Sequence, residues 1–180
     1  MVASVSYDVE DEGIRPPTLG LVVLQSEETL EDELRYFLRD RRVVLHHTRI
    51  PSGEAVTLET LGAMEENLGS AIGLFPAGAR FDVIGYACTS AASVIGEARV
   101  SELIKGVRPE AASTNPATAV KAALGALGAQ RVSVLTPYNV AVTQDIVAML
   151  KKDDFKVTSI TTFNEEVEAK VARITPQSIL

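Results

Sequence analysis

Short apolar runs recur along the chain, and each is bounded by small or polar residues. Runs of this length and composition predict buried β-strands. They lie at residues 18–24, 43–50, 81–88, 111–114, 131–136 and 155–161. Residues 18–24, for example, read TLGLVVL and are followed by the polar turn QSEE at 25–28.

The segments between these runs carry apolar residues at every third or fourth position, as amphipathic helices do. The predicted helices cover residues 29–40, 57–72, 94–105, 117–127 and 140–152. The side chains expected to face inward in the first two are Leu30, Leu34, Phe37, Leu38, Leu58, Leu61, Met64, Leu68 and Ile72. Strands that alternate with helices are typical of parallel sheets joined by right-handed crossovers. The pattern therefore predicts an α/β fold.

The same pattern divides the chain into three parts. Residues 1–17 are acidic and end in Pro16-Pro17, which predicts a flexible leader. A strand, a polar turn and a helix follow one another from near Leu19 and again from near Arg131. This repetition predicts two related α/β halves at 18–116 and 117–180. The second half has only two clear strands before a predicted helix start at Pro176. Because two strands cover little core, we expect the second half to be incomplete.

Composition narrows the classes of function. The 180 residues are 46% hydrophobic and 23% charged, which is typical of a soluble globular protein. A net charge of −7 argues against nucleic acid or an anionic membrane as a partner. No apolar run is long enough to span a membrane, and the first dozen residues lack the features of a signal peptide. We therefore predict a cytoplasmic protein.

Cys88, the single cysteine, lies at the carboxyl end of a predicted strand, where open α/β sheets place their chemistry. The small residues Thr89, Ser90, Ala91 and Ala92 lead into a helical pattern. The first turn of that helix would direct free N–H groups and a positive dipole end at the thiol. A thiolate stabilised in this way is a competent nucleophile or base. A buried structural cysteine is the alternative, and the local sequence leaves both open.

Two further turns follow predicted strands, QSEE at 25–28 and PYN at 137–139. Because the carboxyl ends of parallel strands share one edge, the first turn should lie beside Cys88. The turn at 137–139 should face them across a cleft between the halves. Tyr138 is either a cleft residue or an ordinary turn tyrosine. No glycine-rich nucleotide loop follows the first strand.

Two other groups of polar residues have less specific patterns. His46 and His47 lie on a predicted strand, so only one can point inward, and a Cys-His pair with Cys88 would lack an orienting third group. A packed or exposed strand histidine is the favoured interpretation. The acidic residues at 165, 166 and 168 are expected to form a solvated face rather than a ligand set.

Several motifs together resemble the aspartate/glutamate racemase superfamily. They are GLVV at 20–23, RIP at 49–51, YACTS at 86–90 with VIG at 94–96, LTPY at 135–138, and VARI at 171–174 with Pro176. Within the superfamily they are similar to the branch of maleate cis-trans isomerase and arylmalonate decarboxylase. The first turn, LQSEETLE at 24–31, makes the ectoine-utilisation protein A group the most similar one.

The resemblance implies two flavodoxin-like halves with the site between them, no cofactor and no metal. It also implies a second Cys-Thr turn, which would fall after Leu180. Cys88 would be the nucleophile or proton-transfer base, and Thr89 and Ser90 would hold a substrate carboxylate with their backbone N–H groups. Tyr138 would line the same cleft. Removing a proton next to a carboxylate creates an enolate that such donors stabilise, whereas addition of the thiolate to a double bond permits rotation and release.

Two positions depart from the pattern of the maleate isomerases. Glu27 and Glu168 stand where that branch carries asparagines that bind a substrate carboxylate. A carboxylate repels a carboxylate at close range, so these changes argue against maleate as the substrate. We expect one or both glutamates to face an ammonium or amide N–H, as an amino acid derivative or a product of ectoine breakdown would offer.

The resemblance therefore predicts a cofactor-independent isomerase or racemase that acts on a small carboxylate by thiolate chemistry. A decarboxylase or lyase of the same superfamily is one alternative. A non-catalytic ligand-binding form is another, because a chain that lacks a second thiol cannot perform two-base racemisation. The predicted partner is the small carboxylate alone, and self-association into a homo-oligomer is left open.

Overall fold

Two parallel sheets organise the protein in the computed structural model, which describes residues 2–9 and 15–180. The first sheet has the strand order β2-β1-β3-β4, and the second pairs β5 with β6. The strands are β1 (Thr18–Leu24), β2 (Val44–Ile50), β3 (Val83–Tyr86), β4 (Ala112–Thr114), β5 (Arg131–Tyr138) and β6 (Lys156–Glu165). All of these pairings are parallel, and the order of the first sheet is that of flavodoxin-like proteins. The predicted α/β fold is confirmed.

Helices connect the strands throughout the described part of the chain. They are α1 (Leu30–Leu38), α2 (Leu58–Ala63), α3 (Glu65–Gly73), α4 (Thr89–Ile95), α5 (Glu97–Val107), α6 (Pro116–Ala126), α7 (Val140–Lys152), α8 (Glu168–Val171) and α9 (Pro176–Ile179). Among residues 2–9 and 15–180, none of these helices has the length and apolar character that crossing a membrane requires.

The predicted leader is described only in part, because Met1 and residues 10–14 lie outside the described residues. Residues 2–9 are exposed and have no helix or strand. Arg15 is tied to the body of the protein, since both terminal nitrogens of its guanidinium group lie 3.0 Å from the Asp82 carboxylate. The same carboxylate accepts the Thr18 backbone N–H at 2.7 Å, so it fixes the start of β1.

The largest fully buried side chains fill the first sheet and the helices beside it: Tyr86, Phe81, Ile50, Leu68, Ile72, Ile84 and Ile104. The predicted inner residues Leu61 and Met64 join this core, but Leu58 is 43% exposed. Leu58 is the first residue of α2, and helical side chains lean toward the N-terminus, which for this residue is the open end of the helix. The predicted helix at 57–72 is two helices that meet at Met64.

Helix α1 also departs from the prediction. Phe37 is 71% exposed, and none of the residues of α1 is buried. Its ring instead makes an edge contact with Tyr36, at 5.9 Å between the centroids, and the Arg39 guanidinium lies over the Tyr36 ring. The predicted inner side is confirmed only in part, because Leu30, Leu34 and Leu38 are half-buried while Phe37 is not covered by the rest of the protein.

Several element boundaries differ from the predictions, including that of the strand expected at 81–88, which covers only Val83–Tyr86. The helix expected to begin near residue 94 begins at Thr89 and is interrupted at Gly96, whose φ of 93° is left-handed. Strand β5 continues to Tyr138 instead of ending at residue 136. It tolerates Pro137 because its only strand partner among the described residues is β6. Strand β6 continues to Glu165 rather than residue 161.

Gly20 in β1 offers a test of how tightly this core is packed. A Cβ atom at this position would lie 3.0 Å from Phe75 Cζ and 3.1 Å from Ile84 Cγ1. The Phe75 ring is itself packed against Phe81, at 4.8 Å between the centroids. We therefore expect Gly20→Ala to lower the free energy of unfolding by about 1–3 kcal/mol, as overpacked cores do.

Urea denaturation checks this expectation through the transition midpoint. Gly73→Ala is the matched control, because a Cβ there would meet nothing within 4 Å. Equal midpoints for the two variants would contradict the packing described.

Candidate functional site

A cavity of about 290 Å³ opens at the carboxyl ends of β1, β3 and β5. The turn after β1, the start of α4, the end of β5 and helix α8 all contribute to its lining. The structure brings all six sequence-predicted site residues to this one cavity: Glu27, Cys88, Thr89, Ser90, Tyr138 and Glu168. They come from four separate segments of the chain, so the fold rather than the local sequence assembles them.

Cys88 occupies the junction between β3 and α4. Its backbone is extended, with φ −138° and ψ 114°, and its side chain caps the helix. The Ala91 N–H donates to Cys88 Sγ at 3.4 Å, and the Ser90 hydroxyl lies 3.6 Å from the same sulfur. The sequence predicts N–H groups at the thiol, and the helix cap supplies one, that of Ala91.

The thiol of Cys88 is only 6% exposed, and its burial raises the pKa of Cys88. The Ala91 N–H and the Ser90 hydroxyl lower this pKa, whereas the nearby Glu168 carboxylate raises it. The net shift is upward. The expected stabilisation of the thiolate is therefore outweighed by desolvation, and Cys88 rests as a neutral thiol at neutral pH.

Tyr138 brings a phenol to the same cavity from the end of β5. Burial, followed by the charge of Cys88, raises the pKa of Tyr138 to about 12. The phenol is therefore a hydrogen-bond donor at neutral pH. The backbone carbonyl of Tyr138 accepts hydrogen bonds from Thr162 Oγ1 and, at 3.3 Å, from Thr143 Oγ1, so the residue is anchored on both sides.

Glu27 lines the cavity but also caps helix α1. Its Oε1 accepts the Thr29 N–H at 2.7 Å and the Leu30 N–H at 3.0 Å, and the Thr29 hydroxyl donates to it at 3.2 Å. Burial is the largest single influence and raises the pKa of Glu27, but these donors together bring it below its ordinary value. One carboxylate oxygen of Glu27 is therefore occupied by hydrogen bonds to the start of α1.

The Glu168 carboxylate accepts fewer hydrogen bonds than the Glu27 carboxylate. It is half-buried at the start of α8, and its Oε1 accepts a hydrogen bond from Ser26 Oγ at 3.2 Å. Burial and the charge of Glu27 raise the pKa of Glu168, and the Ser26 hydroxyl opposes them. The expectation that Glu168 belongs to a solvated face is wrong, because α8 folds back over the turn that follows β1.

Backbone hydrogen bonds hold this segment against the first half of the chain. Glu168 N–H donates to Glu54 O at 3.0 Å, and Val56 N–H donates to Glu166 O at 2.8 Å. The Asn139 side chain adds a bond from its Nδ2 to Glu166 Oε1 at 2.9 Å. The position of Glu168 in the cavity is therefore fixed by contacts that are distant in sequence.

Residues 61–180 match the family described as arylmalonate decarboxylase. The chain belongs to the arylmalonate decarboxylase family. The matched residues include Cys88, Tyr138 and Glu168, and the predicted superfamily branch is confirmed. The finer likeness to the ectoine-utilisation protein A group stays a prediction.

Two relatives are maleate isomerases. The protein of Nocardia farcinica is 33% identical over 155 residues, which are 81% of this chain and 60% of that protein. The protein of Pseudomonas putida KT2440 is 28% identical over 153 residues, which are 77% of this chain and 60% of that protein. The chain thus spans about 60% of the length of these relatives.

Solved structures agree with this assignment. The maleate isomerase Iso of Pseudomonas putida S16 has a TM-score of 0.79 at 26% identity, over 91% of this chain and 71% of that one. A cysteine-to-serine variant of the Nocardia farcinica maleate cis-trans isomerase, with a covalently bound succinylcysteine intermediate, has a TM-score of 0.79 at 29% identity. It covers 91% of this chain and 70% of that one. An arylmalonate decarboxylase structure at 23% identity shares the fold, with a TM-score of 0.75.

The two histidines of this family member lie away from the cavity. His46 makes an edge contact with the Phe81 ring, at 5.4 Å between the centroids. His47 Nε2 is buried without a hydrogen-bond partner, and burial lowers the pKa of His47. Neither lines the cavity, so the Cys-His hypothesis is wrong. Among residues 2–9 and 15–180, no three His, Cys, Asp or Glu side chains are grouped to hold a metal ion.

Two residues at the site were not predicted from the sequence. Ser26 relays a hydrogen bond, since its Oγ accepts from Ser52 Oγ at 3.2 Å and donates to Glu168. Its position in the turn after β1 was a signal that could have found it. Tyr86 is the last residue of β3 and is buried two residues before Cys88, and the alternation of side chains along the extended chain predicts that both leave it on one face.

Proposed function

We propose that this protein is a cofactor-independent isomerase or racemase of a small carboxylate, with Cys88 as the reacting thiol. The observation that carries the proposal is the single cavity that joins Cys88 Sγ to the donors of Thr89, Ser90 and Tyr138. The relatives named maleate isomerase support it, as does the related structure that contains a succinylcysteine.

The proposed chemistry begins with a carboxylate held at the start of α4 by the hydroxyl and N–H groups of Thr89 and Ser90. The Cys88 thiolate removes a proton from the adjacent carbon, and the electron pair of the C–H bond moves into the carboxylate to form an enolate. The Tyr138 phenol donates to the enolate oxygen, where negative charge develops. Return of the proton from Cys88 to the same face regenerates the starting acid, whereas delivery of a proton by water to the opposite face of the planar enolate gives the other enantiomer.

An unsaturated substrate allows a second route through the same groups. The thiolate forms a C–S bond with one carbon of the double bond, and the π electron pair moves toward the carboxylate. Rotation about the new single bond and cleavage of the C–S bond then release the other isomer.

Because burial raises the pKa of Cys88, its thiolate is a stronger base than an exposed one, which suits the removal of a carbon-bound proton in the first route.

We propose that the substrate also carries an ammonium or amide N–H that faces Glu168. Glu168 is better suited than Glu27, because one Glu27 oxygen already accepts three hydrogen bonds. A carboxylate with a raised pKa in a half-buried site gains from a cationic partner. An amino acid derivative, including a product of ectoine breakdown, meets this requirement.

Glu168→Gln tests the substrate class. We expect it to reduce kcat/KM about tenfold for amine-bearing carboxylates, because a charged hydrogen-bond partner is lost. Carboxylates without nitrogen should be converted no more slowly than by the wild type. Glu110→Gln, at an exposed residue outside the cavity, is the matched control. A uniform decrease across both substrate classes would count against the assignment of Glu168.

The family described as arylmalonate decarboxylase favours decarboxylation as a second candidate function. Release of CO₂ from substituted malonates distinguishes it from isomerisation, which conserves every carbon. In a non-catalytic binding form, a bound carboxylate would protect Cys88 from alkylation, but no carboxylate would be converted.

We also propose that residues 18–116 and 117–180 form the two α/β halves. Their separate sheets and their shared lining of the cavity support this division.

A further inference from the structure

Ser26 and Ser52 stand at equivalent places in two neighbouring turns. Strands β1 and β2 are paired in register up to Leu24 and Ile50, and each serine comes two residues after the last paired residue of its strand. The Gln25 N–H extends this pairing, because it donates to the Ile50 carbonyl at 2.9 Å. The register of the sheet therefore brings the two hydroxyls together, and Ser52 Oγ donates to Ser26 Oγ at 3.2 Å.

The Glu168 carboxylate is the acceptor at the end of this hydrogen-bonded chain. A serine hydroxyl has one proton to donate, and Ser26 donates it to Glu168 Oε1 at 3.2 Å. Because Ser26 Oγ accepts the Ser52 proton, its own proton cannot point toward Ser52 and is left for Glu168. Hydrogen bonds linked in this way polarise and strengthen one another. Ser52 therefore acts on Glu168 through Ser26.

The Glu168 side chain has two spaces open to it. Besides the cavity that contains Cys88, it lines a second cavity of about 520 Å³. Ser26 also lines both cavities, so the hydrogen bond between Ser26 and Glu168 lies on the wall that they share. The backbone of Glu168 is held by its N–H bond to the Glu54 carbonyl. Rotation of the side chain alone therefore decides which cavity receives the carboxylate.

We propose that Ser52 is a positioning residue, which acts through Ser26 to keep the Glu168 carboxylate beside the substrate and so sets the preference for amine-bearing carboxylates. Burial is the largest influence on the pKa of Glu168 and raises it, whereas the Ser26 hydroxyl lowers it. The hydrogen bond from Ser26 thus favours the charged carboxylate, which binds an ammonium group more strongly than the neutral acid does. The proposal rests on the proposed function only for the amine of the substrate.

Kinetics with two classes of carboxylate test the role of Ser52. In Ser52→Ala we expect KM for amine-bearing carboxylates to rise about fivefold, the effect of one neutral hydrogen bond, with kcat unchanged. Carboxylates without nitrogen should have the KM of the wild type, because they make no use of Glu168. Ser52→Thr retains the hydroxyl and should restore the wild-type KM. An equal rise in KM for both classes would overturn the proposal.

A double variant shows whether Ser52 acts through Glu168. In a Glu168→Gln protein the carboxylate that Ser52 positions is absent, so Ser52→Ala should cause no further rise in KM. Effects that multiply in the double variant would overturn the proposal, because they would mean that the two residues act independently.

A crystal structure of Ser52→Ala tests the positioning without any substrate. We expect the Glu168 side chain to leave Ser26 and turn into the second cavity, while the backbone bond from Glu168 to Glu54 remains. Ser26→Ala removes the direct partner of the carboxylate and should have the same effect. An unmoved Glu168 side chain in either variant would overturn the proposal. A displaced side chain in a protein whose wild type converts no carboxylate would retain the role of Ser52 and refute the enzymatic function.

Discussion

Replacement of Cys88 by alanine is expected to reduce turnover about a thousandfold or more, because it removes the only thiol of the chain. Both proposed routes need this sulfur, either to take a proton from carbon or to form the C–S bond. Cys88→Ser should be nearly as inactive, since a serine hydroxyl at the same place ionises far less readily than a thiol. Steady-state turnover of the preferred carboxylate measures both effects.

The loss should be chemical rather than structural. Cys88 packs among apolar neighbours that an alanine methyl group also contacts, so the urea midpoint should change little compared with the loss of activity. Ser70→Ala, at a residue outside the cavity lining, should retain full turnover.

Because burial raises the pKa of Cys88, wild-type turnover should increase with pH until the thiol is ionised. More than a tenth of wild-type turnover in Cys88→Ala would refute the role of the thiol.

The second large effect is expected for Tyr138→Phe, which should reduce kcat about a hundredfold and leave KM nearly unchanged. The phenol remains protonated because burial raises the pKa of Tyr138 to about 12. It can therefore donate a hydrogen bond at the point where the enolate charge forms. Loss of one such donor decreases kcat by about 10²–10³ in enzymes that stabilise oxyanions.

Tyr36→Phe is the matched control, because this exposed ring on α1 lies outside the cavity. Measurement of kcat and KM separately decides what Tyr138 does. An increase in KM with kcat unchanged would assign the phenol to ground-state binding, and less than a threefold effect on either constant would remove it from the reaction.

Much of this site was predictable from the sequence because its strands and turns have recognisable local sequence patterns. Buried strands are continuous apolar runs, and parallel strands bring their carboxyl ends to one edge. Cys88 and the turns that contain Glu27 and Tyr138 each follow such a run, so their approach to one cavity follows from the alternation of strands and helices. The start of α4 was harder to predict, because its cap is a cysteine rather than a serine, threonine or aspartate.

Other features depend on contacts that no local pattern encodes. Glu168 reaches the cavity because backbone groups at Glu54 and Val56 bind the segment that precedes α8. The sequence around Glu168 is simply acidic, and acidic runs are usually solvated. The exposure of Phe37 has a similar origin, since periodicity defines a face but not its partner. The Tyr86 hydroxyl donates to Met64 Sδ at 3.6 Å, and no pattern in the sequence around Tyr86 indicates that partner.

The most direct test of the account is proton NMR in D₂O over a panel of small carboxylates, with and without an amino group. One spectrum reports both deuterium uptake at the carbon next to the carboxylate and cis-trans conversion of unsaturated acids. A single thiol suffices for proton exchange on one face or for addition to a double bond, so the wild type should catalyse at least one of them, and Cys88→Ala should catalyse neither. Exchange or isomerisation that persists in Cys88→Ala, or its absence from the wild type with every acid, would contradict the account.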